Sequence, residues 1–219
     1  MSISIDRLYY GRFSEAERVR KNEIWKVLCR DFFQKFIPRD SVVWDVGAGF
    51  CEFINNIVCS KKYAVDLNSD ISKFAHVGVI VFNTVSTDLS FTAAGSIDIV
   101  FMSNFLEHLM SKEDILKTLL EVFRVLKPSG KAIILQPNIR YLCGEYWDFF
   151  DHRIPLSDRS VVEVLQIAGF RIKCVLPKFL PYTTKGKLPH NPFLVKAYLK
   201  MPFVWKFLGK QMFILAEKP

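Results

Sequence analysis

Val42-Val43-Trp44-Asp45-Val46-Gly47-Ala48-Gly49 is the stretch that decides the fold. Its first five residues are apolar except for Asp45 and show no polar alternation, the pattern of a strand buried on both faces of a parallel sheet. Gly47 and Gly49 then allow a sharp turn and a close backbone approach to a ligand, and Phe53, Ile54 and Ile57 follow at helical spacing. The same alternation recurs downstream. Lys62–Asp66, Val79–Phe82, Asp98–Met102 and Lys131–Leu135 read as further strands, with Lys127-Pro128-Ser129-Gly130 as a stop between helix and strand. Ser111 and Asp114 start a helix with an apolar stripe of Ile115, Leu116, Leu119, Leu120, Phe123 and Leu126. Strands alternating with helices predict a doubly wound α/β sheet.

Outside this core, Ser14 and Glu17 form a capping-box signature ahead of a helix carrying Ile24, Trp25, Leu28 and Phe32, which Pro38 ends. Ser157 caps a helix running to Ala168, Gly169 terminates it, and Phe170–Val175 and Gln211–Lys218 read as the sixth and seventh strands. The segment 177–210, rich in Pro, Lys and aromatics, is too long for a hairpin turn and is expected to be an insertion or a flap. The 219 residues are expected to form one domain: a helical cap at 1–38, a core at 39–176, the insertion at 177–210 and a last strand at 211–219.

Composition narrows the classes further. No signal pattern opens the chain and no apolar run approaches the length of a membrane span, so a cytoplasmic protein is expected. Five widely spaced cysteines without a C-x-x-C pair predict reduced thiols, with neither a disulfide framework nor a zinc site, and no metal is expected. The net charge of +8 is concentrated: residues 171–219 carry ten Lys or Arg against one acid, while residues 1–170 are nearly neutral. Within that tail, 193–210 interleaves aromatics with lysines, which suits reversible contact with an anionic membrane or a lid whose lysines face water.

Ligands of open α/β sheets bind at the carboxyl ends of the strands, so the residues presented there are the candidates. The first strand offers Asp45, Gly47, Ala48 and Gly49, and the second ends in Asp66, at the spacing of an acid that accepts from a ribose diol. Gly-x-Gly alone also fits a nicotinamide or flavin fold. The place of a third glycine in G-x-G-x-x-G, however, is taken by Glu52, whose carboxylate opposes a pyrophosphate and suits a ligand with an ammonium and a sulfonium. That favours S-adenosylmethionine over a dinucleotide.

Four motifs then occur in order: Val43–Gly49; Ala64-Val65-Asp66; Ile97–Leu109, which contains Ser103-Asn104-Phe105-Leu106-Glu107-His108; and Arg124–Gly130. Together they resemble class I S-adenosylmethionine-dependent methyltransferases of the type 11/12 kind, from residue 42 to 135. The resemblance implies a Rossmann-like α/β sheet of about seven strands, mostly parallel with an antiparallel last strand, and helices on both faces. It also implies that Gly47, Ala48 and Gly49 line the methionine part of the cofactor with Asp45 behind its amino group. Asp66, with Leu67 beside it, would bind the ribose, Asp88 and Leu89 would frame the adenine, and Asn104 would close the site. Cys51 and the pair Val85-Ser86 depart from the family pattern, the latter where an acid often precedes the adenine loop.

The acceptor side is read from Gln136–Tyr141 and Tyr146–Arg153, where Asn138, Tyr146, Trp147 and Asp151 are candidate acceptor contacts. His152 is the first candidate for deprotonating an acceptor hydroxyl, with a structural hydrogen bond as the alternative. His108 is second, with packing beneath the site as its alternative. Residues 141–219 look similar to bacterial methyltransferases associated with cell-surface polysaccharide synthesis, which implies a small molecule or a glycan sugar hydroxyl as acceptor. The rivals are an RNA or other nucleic-acid methyltransferase, disfavoured because no Asn-Pro-Pro-Tyr type motif follows the fourth strand, and a catalytically silent cofactor-binding domain.

Overall fold

The computed structural model of the protein describes residues 14–142, 144–182 and 191–219. Seven strands form one sheet: β1 (Val42–Val46), β2 (Lys61–Asp66), β3 (Val79–Asn83), β4 (Ile97–Ser103), β5 (Leu126–Pro137), β6 (Arg171–Leu180) and β7 (Gln211–Glu217). Their order is β3-β2-β1-β4-β5-β7-β6. The pairs from β3 through β5 are parallel, while β7 lies antiparallel between β5 and β6. The sheet is therefore of the mostly parallel kind expected, with its last strand reversed. Its central strands are closed to water, β1 and β4 having almost every side chain buried, which is why they read as apolar runs.

Among the described residues six α-helices accompany the sheet: α1 (Glu15–Asp31), α2 (Glu52–Asn56), α3 (Lys112–Val125), α4 (Asp158–Ile167), α5 (Pro192–Leu199) and α6 (Pro202–Leu208). The Ser14–Glu17 capping box at α1 is present in full. Ser111 caps α3 by accepting from the Asp114 N–H, and Ser157 caps α4. Two cores flank the sheet. One centres on Trp44, Val100 and the inner face of α3, the other on α1 with Phe33, Phe53, Phe101 and Phe213. In the second, Phe32 stacks on Phe179 at 4.2 Å and Phe53 on Phe101 at 3.6 Å. Such aromatic pairs contribute about 0.5–1.5 kcal/mol each beyond their burial.

The structure departs from the sequence reading in four places. Leu120 of the expected α3 stripe is 47% exposed, and Thr118 turns inward instead, its hydroxyl paired with Ser86 at 2.8 Å. Leu126 opens β5 rather than closing α3, and the stop at 127–130 is an irregularity within that strand, where Ser129 takes φ +61 and its N–H donates to Lys218 O. The amino-terminal helix ends at Asp31, short of Pro38, and a 3-10 turn at Phe33–Lys35 follows. Finally, β6 continues through Pro177 to Leu180, four residues into the expected insertion. Because β6 is the edge of the sheet, a proline without an N–H removes no essential ladder bond there.

Residues 192–199 and 202–208 of the expected insertion form α5 and α6. Tyr198 Oη donates to Phe179 O, and Trp205 Nε1 donates to Tyr198 O at 2.8 Å while its ring packs against Phe32 and Phe179. Among the described residues no helix is long and apolar enough to cross a membrane. The expected thiol at Cys143 lies outside the described residues, and Cys29, Cys51, Cys59 and Cys174 are free.

Candidate functional site

At the carboxyl end of β1 the backbone passes through three left-handed residues, Gly47 (φ +73), Gly49 (φ +53) and Cys51 (φ +61). A Cβ on Gly47 would lie 2.3 Å from Cδ2 of Phe105, so sterics and dihedral both demand glycine. The N–H groups of Gly47 and Ala48 donate to Val65 O at 2.8 and 3.2 Å. Asp66 anchors the same loop from β2: Oδ2 accepts from Gly49 N–H and Oδ1 from Asn68 N–H, both at 2.8 Å. Cys51, where the resemblance leads a glycine to be expected, adopts the conformation that glycine would and is wholly buried.

Acid surrounds this turn. Asp45 is buried at the end of β1, and Glu52 begins α2 with Lys21 Nζ 3.0 Å from its Oε1. Burial, and then the nearby Glu52 charge, hold the Asp45 carboxyl well above the usual range. Burial raises Asp66 as well, against the backbone N–H groups that favour its charge. A ligand bringing positive charge relieves such crowding, whereas a diphosphate aggravates it. The glycine cradle and the acids therefore fit the ammonium and sulfonium of S-adenosylmethionine.

From this turn a cavity of about 510 Å³ extends between α1, the end of β4 and the pair α5 and α6. That size is ordinary for a small-molecule site. Asp45, Gly47, Ala48 and Gly49 line it at one end, and Asn104, held at φ +47 with its N–H bonded to Leu135 O, lies beside them. At the other end stand Glu107, His108 and His152, with Phe149 and Tyr182. A backbone tie brings these together across the chain: Glu107 O accepts from Arg153 N–H at 2.8 Å and Ile154 N–H at 3.2 Å. His152 is then fixed by Nδ1 against Tyr146 O at 2.8 Å and by its ring stacked on Phe149 at 5.0 Å. His108 Nδ1 lies 3.2 Å from Asp151 O and 3.3 Å from Asp151 Oδ2.

Several residues expected at the site stand elsewhere. Leu89 is wholly buried in the core, its N–H donating to Glu121 and its carbonyl accepting from Arg124, because α3 grips this loop. Asp88 is exposed and accepts from Ser90 N–H, and Leu67 is 53% exposed. Neither they nor Asp66 belong to the cavity wall. On the acceptor side, Asn138 is fully buried and donates to Asp158 Oδ1 and Pro177 O, and Tyr146 is fully buried with its hydroxyl on Ile154 O. Both support the wall from behind. Trp147 is 56% exposed and lies, with Asp151, outside the lining.

Residues missed from sequence include Glu107, Lys21, Trp25, Tyr182 and Tyr198, all on the cavity. Only Glu107 carried a local signal, a carboxylate set between Leu106 and His108 in an otherwise apolar turn.

Residues 44–134 match the family described as a methyltransferase domain. A S-adenosylmethionine-dependent methyltransferase from Archaeoglobus fulgidus superposes with a TM-score of 0.68 at 21% identity, covering 90% of this chain and 94% of its own. A Thermotoga maritima S-adenosylmethionine-dependent methyltransferase, described as a possible histamine N-methyltransferase, gives 0.68 at 16% identity over 97% and 99% of the two chains. A methyltransferase from a complex with the Haloferax volcanii Trm112 methyltransferase activator gives 0.68 at 14% identity over both chains in full. No curated protein matches the chain in sequence. The chain thus has the Rossmann-like fold of class I methyltransferases and is similar over 44–134 to a methyltransferase domain, a similarity that implies S-adenosylmethionine as the cofactor.

Proposed function

We propose that the protein transfers a methyl group from S-adenosylmethionine to a hydroxyl of a small molecule or of a sugar in a cell-surface glycan or glycolipid. The observation that carries this reading is a single cavity with a glycine cradle and acids at one end and two histidines with a buried glutamate at the other. Gly47, Ala48 and Gly49 would hold the methionine part against Asp45, Asp66 would brace their loop toward the ribose, and Asn104 would close the wall. S-adenosylmethionine supplies the methyl on a sulfonium, so an in-line displacement asks the protein chiefly to align the acceptor and to exclude water. Here α5 and α6 cover the cavity with Leu194, Val195, Tyr198 and Val204. His152 is the first candidate for the acceptor proton and His108 the second. Asp151 would orient His108, and Trp147, 56% exposed, would offer an aromatic face to a sugar.

The outer face of the same helices supports a second, compatible role. Phe193 is 74% exposed, Phe203 64% and Phe207 80%, and Lys196, Lys200 and Lys206 lie among them, a composition suited to an anionic membrane that presents a lipid-linked acceptor. Liposome co-sedimentation tests it: absence of binding to anionic vesicles at low salt removes the membrane role. For the transfer itself, calorimetry with S-adenosylhomocysteine and methyl incorporation into cell-envelope glycans are decisive. Saturable heat and a gain of one methyl are expected. Heat with NAD in place of S-adenosylhomocysteine overturns the reading.

A further inference from the structure

Glu107 is wholly buried, and its Oε1 faces the cavity cluster without a hydrogen-bond partner, while Oε2 accepts from Gln136. A buried carboxylate oxygen left in this state costs free energy that some ligand ordinarily offsets. Two imidazoles face it: Nε2 of His108 at 3.9 Å and Nε2 of His152 at 4.0 Å. Both distances are too long for a hydrogen bond.

The state of those nitrogens follows from the other side of each ring. Nδ1 of His108 lies against Asp151 O and Nδ1 of His152 against Tyr146 O. A carbonyl oxygen can only accept, so each Nδ1 must carry a proton. In the neutral rings Nε2 is then a lone-pair donor directed toward Glu107. Three groups with lone pairs thus offer ligand atoms that all lie within 4.8 Å of one another. A proton cannot bridge gaps of this length, but a cation with bonds of about 2.0–2.2 Å can. An imidazole whose second nitrogen donates to a carbonyl or carboxylate is, moreover, the usual arrangement of a metal-bound histidine.

We infer that Glu107, His108 and His152 form a binding site for a divalent first-row transition cation such as Mn²⁺ or Zn²⁺, with its remaining coordination positions open to the cavity. Two imidazole nitrogens and one carboxylate oxygen suit such ions better than Mg²⁺ or Ca²⁺, which prefer oxygen throughout. The use of the cation in transfer rests on the methyl-donor reading given above; its binding does not. The cation would acidify an acceptor hydroxyl ligated at an open position, whose proton would leave to bulk solvent before the cavity closes over the methyl donor. The oxygen's electron pair then forms the bond to the methyl carbon, and the carbon–sulfur bond breaks with its pair going to sulfur. His152 in that case holds the cation rather than the proton.

The test uses the full chain stripped with a chelator, with Mn²⁺ as probe because it avoids thiolates. Loss of the free Mn²⁺ paramagnetic resonance signal should report one bound equivalent. Glu107→Gln and His108→Ala should each weaken binding more than about tenfold, while His76→Ala, at an exposed histidine bonded to Asn55, should leave it unchanged. His108 is partly exposed, so its variant serves if the buried Glu107→Gln fails to fold. No saturable binding, or equal binding by wild type and both ligand variants, overturns the site. S-adenosylhomocysteine is titrated into the same metal-free sample. Heat with it but no Mn²⁺ binding sinks the cation site alone, and Mn²⁺ binding without that heat sinks the methyl-donor reading alone.

Discussion

The two ends of the cavity are built from different material. The loop end is backbone: left-handed dihedrals at 47, 49 and 51, carbonyl ties to Val65 and a carboxylate clamp from Asp66, within 20 residues of chain. The acceptor end is made of side chains from distant segments, joined where Glu107 O accepts two N–H groups from Arg153 and Ile154. A backbone site depends on conformation and should fail with the fold around it, whereas a side-chain site should lose chemistry and leave the fold standing.

His152→Ala breaks that contrast if it fails, and it carries the largest expected effect. Turnover should fall about 10²–10⁴-fold with S-adenosylhomocysteine affinity unchanged by calorimetry; a matching loss of affinity would mean that the two ends are not separable. Gly47→Ala is the counterpart at the loop end. The added Cβ meets Phe105 at 2.3 Å in a residue with φ +73, so stability should drop by about 2–4 kcal/mol in denaturant titration, together with cofactor affinity.

Asp158 sharpens the comparison behind the acceptor wall. Burial alone would raise its carboxyl, but hydrogen bonds from Asn138 and Arg140 carry it below the usual range. The folded state thus favours the charged form. This contribution is full above the unfolded value of about 3.9 and is lost as pH falls through the lower folded value. Asp158→Asn should flatten the acid limb of the stability curve, read by circular dichroism, with turnover at neutral pH less affected than in His152→Ala. The smallest effect belongs to Trp147→Ala: at 56% exposure its loss should leave stability within about 0.5 kcal/mol and raise the acceptor KM severalfold.

The same division explains what could be read from sequence. Left-handed turns demand glycine and doubly buried strands demand apolar runs, so β1, its loop and the parallel strands that follow are written locally. The carboxylate at 66 was legible as important, but not that both its oxygens already bind backbone N–H groups. Asn138 and Tyr146 share the polar and aromatic look of acceptor contacts, yet their partners, Asp158 and Ile154 O, are set by tertiary folding and pull them inward. Leu89 is likewise taken into the core by Glu121 and Arg124 of α3, some 32 and 35 residues away. Glu107 was overlooked because nothing in its neighbourhood reveals that His152, 45 positions later, will stand 4.0 Å from it.

The position of β7 has a consequence for biosynthesis. A ribosome delivers β5 and β6 before residues 211–217, yet in the finished sheet each of them borders β7 and not the other. Until those residues emerge, a nascent chain carries two open strand edges, a state prone to sticking to other chains. Gln211 also belongs to the cavity wall. Translation arrested near residue 210 would therefore yield a chaperone client rather than a slower enzyme.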